Sequence, residues 1–558
     1  MSSIAQLVRT LADRPDYWLL VFWPVFFSAL WLLSRWPGTR KLLSLTGKFW
    51  ILAGGLTLAA FIWFNWVYLR SPMFPGMFFH IQPDVATVSW YFAEGKPVYH
   101  GPESAEVYNI VYGPYLYIFT GFIEKILGPS LFSAKLGGQL ALYGATLVFA
   151  FILRKRLGWA RAILAVGIFT AMVVNFDPIE TYTRADSFIV LFVVLGAWAA
   201  YSPSKIAPWI LGLAIGVSTE LKIHAGVYFL PLLWLAWRSG YRGRSWLVAG
   251  GCALTSAILP FVAFSNISLR NYLWTLAVAS HHGLSAHYYL PTLEYFFALC
   301  APIAIAVILA YIQQPGKTME ILKSRRCFIG LILVEFLLVL PFASKFGAGP
   351  HHLLPMVIVL LLLAVELHEA GLRFDWSGSP VEAAGYALLY SWLACCLGFG
   401  FMRSYQNAAW MNGRTEWAKS VTADVEKIRQ TYQSSHVLLM GAGNKEHYEL
   451  TFYRTGLIFQ GEPIGIDPSA LMEFSYAGYP TITLSKLTAF LNQNYPHKKI
   501  LWLIPKGDEP FSMDSFYSNV VNGEFGEHKP LYDDSFRADF KNAFKLQEST
   551  SNYDLYAN

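Results

Sequence analysis

The sequence predicts a polytopic α-helical membrane protein of about twelve transmembrane helices, ending in an α/β domain outside the bilayer. Three observations predict it. Only 14% of the 558 residues are charged and 55% are hydrophobic, whereas an average soluble chain is roughly a quarter charged. Apolar runs of spanning character recur from residue 17 to residue 401. From about Arg403 the pattern changes to short apolar runs, helical periodicities and Gly/Pro turns.

A spanning helix needs about 20 mainly apolar residues. The runs that approach this are 17–34, 49–69, 130–153, 159–176, 185–200, 207–219, 223–237, 246–264, 294–312, 328–343, 353–368 and 382–401. The first lacks a small-residue cleavage site and is followed by further spans, so it is not read as a cleaved signal. Every second loop is basic: Arg35, Arg40, Lys41 and Lys48; then Arg154, Lys155, Arg156 and Arg161; then Arg238, Arg242 and Arg244; then Lys317, Lys323, Arg325 and Arg326. The positive-inside rule puts these in the cytoplasm. Loops 70–129, 177–184, 220–222, 265–293 and 344–352, with the tail, are poor in Lys and Arg and belong on the far side, the periplasm if the membrane is a bacterial inner one. The same count places the N-terminus outside, although Arg9 and Arg14 make it mildly basic.

The expected division is therefore 1–402 for the membrane part, with a first outer loop at 70–129, and 403–558 for the tail. In the tail, His436–Met440 and Lys499–Ile504 read as strands, and Trp417–Tyr432 and Leu484–Asn494 as helices. Its length suits one core. Gly441-Ala442-Gly443 lacks the third glycine and the acidic partner of a dinucleotide loop. The five cysteines show neither disulfide nor metal spacing. A net charge of +6, placed in short loops, gives no sign of a nucleic-acid partner.

Chemistry gathers in the outer loops. Asp84 follows the second span by a short stretch, and a carboxylate just above the bilayer suits a general base or a hydroxyl anchor. An Asp after Pro that opens an apolar-periodic run is also a common helix N-cap. Asp177, Glu180, Arg184 and Asp186 crowd one membrane boundary, where charges are costly unless paired, hydrated or used. Arg184 and Asp186, two apart, are not expected to face each other on a helix. Lys222-Ile223-His224, Ser280-His281-His282-Gly283 and Lys345-Phe346-Gly347-Ala348-Gly349-Pro350-His351-His352 supply cations and glycines suited to a phosphate or pyrophosphate head group. Plain interhelical turns explain each of these segments equally well. Adjacent histidines do not converge on one zinc from a helix.

These stretches together resemble the GT-C superfamily of membrane glycosyltransferases, in particular the bacterial families with protein O-mannosyltransferase-like and dolichol-phosphate-mannose-like members. The resemblance rests on Asp84 in a first outer loop; on Gly95, Pro97, Val98 and Tyr99; on Tyr112, Gly113, Pro114, Leu116 and Tyr117; on Arg184 and Asp186 opening a span; on Lys222; and on Lys345, Gly347, His352, Leu354 and Pro355. It implies juxtamembrane helices over a groove for a lipid carrier, and inverting transfer of a sugar from a polyprenyl phosphate to a glycan, lipid or protein acceptor. It further implies that Asp84 is the general base and that Arg184, Lys222, Lys345, His351 and His352 hold the donor phosphate, with Asp186 and Tyr112 in the same site. Many relatives carry two adjacent acids where this chain has Asp84-Val85, so a metal-independent reaction without cofactor is expected. A transporter or flippase for lipid-linked glycans is the alternative; it predicts charges at the bilayer midplane and paired half-helices. A membrane scaffold displaying the tail would need no clustered acids and bases.

Overall fold

The computed structural model describes residues 22–34, 47–74, 81–108, 112–175, 182–202, 204–345, 348–373, 379–477, 482–514 and 530–558. Asp177, Glu180, Phe346, Gly347 and the basic residues Arg9, Arg14, Arg35, Arg40 and Lys41 lie outside them.

The helices run in order α1 (Trp23–Ser34), α2 (Gly47–Arg70), α3 (Ile81–Ala93), α4 (Pro114–Leu127), α5 (Leu131–Leu157), α6 (Trp159–Asn175), α7 (Ala185–Tyr201) and α8 (Ala207–Thr219). A 3-10 turn, Ile223–Phe229, leads into α9 (Leu230–Arg238), followed by α10 (Gly243–Ala263), α11 (Leu269–Ser280), α12 (Ala286–Gln313) and α13 (Pro315–Ala343). A second 3-10 turn, Pro350–Leu353, opens α14 (Leu354–Glu369), and α15 (Pro380–Gly413) follows. Among the described residues seven helices are long and apolar enough to cross a membrane: α2, α5, α10, α12, α13, α14 with its 3-10 lead, and α15. Helices α1, α6, α7 and α8 are apolar but shorter. The chain is an integral membrane protein.

The expected span 223–237 is not one helix. Pro231 lacks an N–H and sits in the first turn of α9, where a missing donor is harmless. The residues before it take the tighter 3-10 form. Helix α15 runs 34 residues without a break through the expected boundary at 402.

Glycines allow close helix crossings. A Cβ on Gly167 of α6 would lie 2.5 Å from Cα of Gly54 on α2. Such small-residue contacts let backbones approach where lipid offers no hydrophobic drive. At one end of the bundle Glu366 of α14, 3% exposed, gathers three arginines. Arg238 Nη1 lies at 2.8 Å, Arg325 Nε at 3.1 Å and Arg156 Nη1 at 3.3 Å. These come from three of the basic loops assigned to the cytoplasm, so those loops share one face.

At the other end, Lys135 of α5 donates to the carbonyls of Tyr68, Ser71 and Met73 at 3.1, 2.8 and 2.7 Å. It thereby satisfies acceptors that the end of α2 leaves orphaned and fixes where loop 70–129 begins.

The tail holds α16 (Thr415–Tyr432), β1 (His436–Met440), α17 (Arg454–Ile458), α18 (Pro468–Tyr476), α19 (Leu484–Asn494), β2 (Lys499–Pro505), α20 (Asp534–Ala543), β3 (Lys545–Ser549) and β4 (Tyr553–Ala557). Its sheet has the order β1-β2-β4-β3. Strand β1 pairs β2 in parallel, Leu438 opposite Leu501, and β2 pairs β4 antiparallel, Leu503 opposite Leu555. Helices cover both faces of β1 and β2, which explains their continuous apolar sequences. The tail is knitted to loop 70–129. Val107 N–H donates to the carbonyl of Gly465 at 2.8 Å, and Asp467 N–H to that of Val107 at 2.7 Å. Phe74 and Ala86 join its core.

Candidate active site

At the bundle end opposite Glu366, beneath the tail, lies a cavity of about 290 Å³. Tyr112, Arg184, Lys222, Lys345, His351, His352 and Glu473 line it.

All of these but Glu473 reach it through breaks between the regular helices. Arg184 is the extended N-cap of α7, with φ −147° and ψ 169°. Freed from helical spacing, its Nε stands 3.6 Å from Oδ2 of Asp186. This corrects the expectation that the two face apart: the rule for residues two apart holds only inside a helix. Lys222 follows the end of α8 in extended backbone, and its Nζ lies 2.5 Å from Oδ1 of Asp186. Asp186 thus holds both cations from behind. Tyr112 closes one wall: its hydroxyl oxygen accepts from Arg184 Nε at 3.0 Å, and Lys222 Nζ lies 5.4 Å from its ring centre.

The opposite wall comes from Lys345 and the 3-10 turn before α14. Lys345 Nζ donates to the Ala279 carbonyl at 3.1 Å, and burial pushes its pKa below the ordinary lysine value. His352 Nδ1 faces His224 Nε2 at 3.3 Å, and the His224 ring stacks on Phe342 at 4.8 Å. His351 packs on His352 with ring centres 4.5 Å apart. Ile81, Leu276 and Phe342 add apolar surface beside Ser280 and His282. Ile223, 55% exposed, stands at the rim on the outside of the bundle.

Glu473 was not legible in the sequence. It sits in α18, whose N-cap Asp467 accepts from Ser469 N–H at 2.7 Å and pairs with buried Arg454. That docking puts the Glu473 carboxylate 3.2 Å from His282 Nδ1. Burial raises its pKa, opposed by His282 and Arg184. Nothing local marks this acid; it joins the site through contacts between the tail and the outer loops. Phe474, beside it, stacks on Trp274 at 5.2 Å and serves packing.

Asp84 stands apart. It is fully buried in the first turn of α3, with three helical residues before it, so it is not an N-cap. Among the described residues it does not line the cavity; Ile81, one turn earlier, does. Its charge acts on the phenols of Tyr108 and Tyr448, adding to the burial that raises both pKa values. Gln82 ties this helix to the Arg184 segment: Tyr68 hydroxyl binds Gln82 and Thr183, and Thr183 N–H reaches Gln82 Oε1 at 3.3 Å.

The fold of the chain is similar to that of the crystal structure of ArnT from Cupriavidus metallidurans bound to undecaprenyl phosphate, with a TM-score of 0.52 and 12% identity over 92% of this chain and 98% of that one. This is the GT-C fold. The apo ArnT structure from the same organism matches equally, TM-score 0.52 and 12% identity, over 90% of this chain and 97% of that one. No family model and no curated protein matches by sequence. Helices α3 and α4, in loop 70–129, pack on each other, and α3 packs against α17 and α18 of the tail.

Proposed function

We propose that this GT-C protein moves a sugar from a polyprenyl-phosphate donor to an acceptor on the outer, periplasmic side of a bacterial inner membrane, with inversion at the sugar carbon. The observation that carries the reading is the cavity itself. Three cations, Arg184, Lys222 and Lys345, face two acids, Asp186 and Glu473, so the site lacks one negative charge. A lipid phosphate supplies it, and the apolar floor with Ile223 at the rim suits the first units of a lipid chain. The resemblance in fold to ArnT, captured with undecaprenyl phosphate, supports the same class of donor.

In this mechanism the acceptor hydroxyl attacks the sugar carbon on the side opposite the phosphate. The new carbon–oxygen bond forms as the bond to the phosphate oxygen breaks, and the phosphate leaves with the electron pair. Arg184, Lys222 and Lys345 stabilise the charge that develops on it. The role of taking the acceptor proton and passing it to water falls to Asp84 by the GT-C resemblance, not by the cavity lining, and Glu473 holds a sugar hydroxyl. The test is incubation of the purified protein with radiolabelled polyprenyl-phosphate sugars and cell-envelope acceptors. Label moved to an acceptor supports the reading; label that stays on the lipid with every acceptor overturns it.

One observation favours the alternative of a transporter or flippase for lipid-linked glycans. Glu335 lies within membrane helix α13, fully buried, with both carboxyl oxygens lacking a hydrogen-bond partner among the described residues. Movement of labelled lipid-linked glycan across liposomes carrying the protein would favour that alternative.

A further inference from the structure

A second, larger cleft of about 680 Å³ opens between the first outer loop, α11 and the tail. Its volume falls in the range of about 300–1,000 Å³ usual for small-molecule sites. One wall is aromatic. Tyr91 and Tyr108 stand edge-to-face with ring centres 5.5 Å apart, and His100 meets Tyr108 at 5.0 Å. The facing wall is α19, where Phe490 and Asn494, four apart, share one helix face. Asn494, also in the lining, donates from its amide nitrogen to the Phe490 carbonyl at 2.8 Å and keeps its oxygen as an acceptor. Arg270 of α11 adds an exposed guanidinium with no hydrogen bond or ion pair among the described residues.

The charge balance is even. Lys96 and Arg270 are set against Glu103 and Glu106, and Lys96 is already 2.7 Å from Glu94. His100 is neutral by its own bonding. Its Nε2 accepts from Tyr108 N–H at 3.2 Å, and its Nδ1 faces the Gly101 carbonyl at 3.1 Å, where it donates. The half-buried ring of Phe490, backed by the buried Tyr91–Tyr108–His100 cluster across the cleft, with amide, guanidinium and carboxyl groups at the edge, fits a sugar ring, whose faces carry C–H groups and whose rim carries hydroxyls. A polyanion finds no surplus of positive charge here.

The cleft is connected to the first cavity by one helix. Ile81, Asp84, Val88 and Tyr91 fall on a common face of α3 by helical periodicity. Ile81 lines the phosphate-type cavity and Tyr91 lines the cleft. The ten helical steps from one to the other span about 15 Å. Asp84 lies between the two, and its charge reaches Tyr108 in the cleft wall.

We propose that this cleft is the acceptor site and that the acceptor presents a neutral saccharide to it, gripped by Phe490 and read by Asn494 and Arg270. This rests on the transferase reading. The experiment uses the full-length protein in detergent, with neutral oligosaccharides (chitotriose, cellotriose, mannotriose), an acidic oligosaccharide and an unglycosylated peptide as probes. Wild type binds at least one neutral oligosaccharide. The Phe490→Ala/Asn494→Ala variant loses at least tenfold of that affinity, Phe490→Tyr restores it beside wild-type Asn494, and binding of polyprenyl phosphate in the other cavity persists. Neutral-sugar binding that the double variant does not change, or preferential binding of the acidic sugar or the peptide, overturns the proposal. Transfer from the lipid donor with an unchanged acceptor KM in the double variant removes the cleft proposal and keeps the transferase. Saccharide binding lost in the variant, with no transfer from any polyprenyl-phosphate sugar, keeps the cleft and removes the transferase.

Discussion

Lys222 Nζ lies 2.5 Å from Oδ1 of Asp186, and both side chains are almost wholly shielded from solvent. Arg184 approaches the other carboxylate oxygen. One acid therefore holds two buried cations in place for a third partner. Removing one member of a buried ion pair costs about 3–5 kcal/mol, because the other charge is stranded. Asp186→Asn should lower the unfolding midpoint in detergent, and added polyprenyl phosphate should recover more stability in the variant than in wild type. An equal ligand shift in both would show that the phosphate does not sit on these cations.

Asp84 is the acid placed between two cavities. Asn keeps its volume and removes the base, and general bases contribute about 10²–10⁴-fold to rate. Asp84→Asn should lose kcat on that scale and bind polyprenyl phosphate as wild type does. Full turnover by the variant would strip Asp84 of its role. Excess chelator should leave wild-type turnover intact; loss of activity restored by a divalent ion would place a metal in the mechanism.

Lys345 is partly desolvated, so its pKa is lowered from the usual lysine value of about 10.4. Its charge is present below that lowered pKa and disappears as pH rises through it. Donor affinity should therefore fall on the alkaline side earlier than an exposed lysine would dictate. Lys345→Arg, which stays charged, should move that fall to higher pH. A donor KM whose alkaline limb is the same in both proteins would remove Lys345 from the phosphate site.

Glu473→Gln separates sugar binding from phosphate binding. A hydrogen bond to a charged group contributes about 1.5–3 kcal/mol, or roughly 10–100-fold. The variant should raise the KM for a polyprenyl-phosphate sugar by that factor. Polyprenyl phosphate alone should bind as well or better, since a negative charge near Arg184 is gone. A parallel loss of both affinities would make Glu473 a docking residue of the tail.

What the sequence made legible was local. The strands β1 and β2 are continuous apolar runs between turns, and α19 carries its own period, so their positions coincide with the reading from sequence. Arg184 and Asp186 were misjudged because the helix begins between them, a boundary that spacing alone does not reveal. Glu366 lay hidden inside an apolar run. Arg156, Arg238 and Arg325 were read as topology signals, and only the fold shows them closing on that carboxylate. Glu473 is the extreme case, an acid in the tail that reaches the cavity through docking at Val107 and Asp467.

The Tyr112-Gly113-Pro114 segment gives the sharpest test of how the site is assembled. Pro114 opens α4, and Gly113 N–H donates to the Leu221 carbonyl at 3.1 Å. A Cβ on Gly113 would lie 1.8 Å from the carbonyl oxygen of Glu220. That oxygen is backbone, so no rotamer change relieves the clash. Gly113→Ala must push residues 112–114 away from 220–222, and with them Tyr112 from Arg184 and Lys222. Affinity for polyprenyl phosphate should drop at least tenfold. Gly95→Ala is the control. Gly95 has φ +77° with nothing within 4 Å of an added Cβ, so the change costs only about 1 kcal/mol of backbone strain, far from the cations. If Gly113→Ala binds polyprenyl phosphate like Gly95→Ala, the contact between the outer loop and Lys222 does not build the site, and the cations hold their ligand without Tyr112.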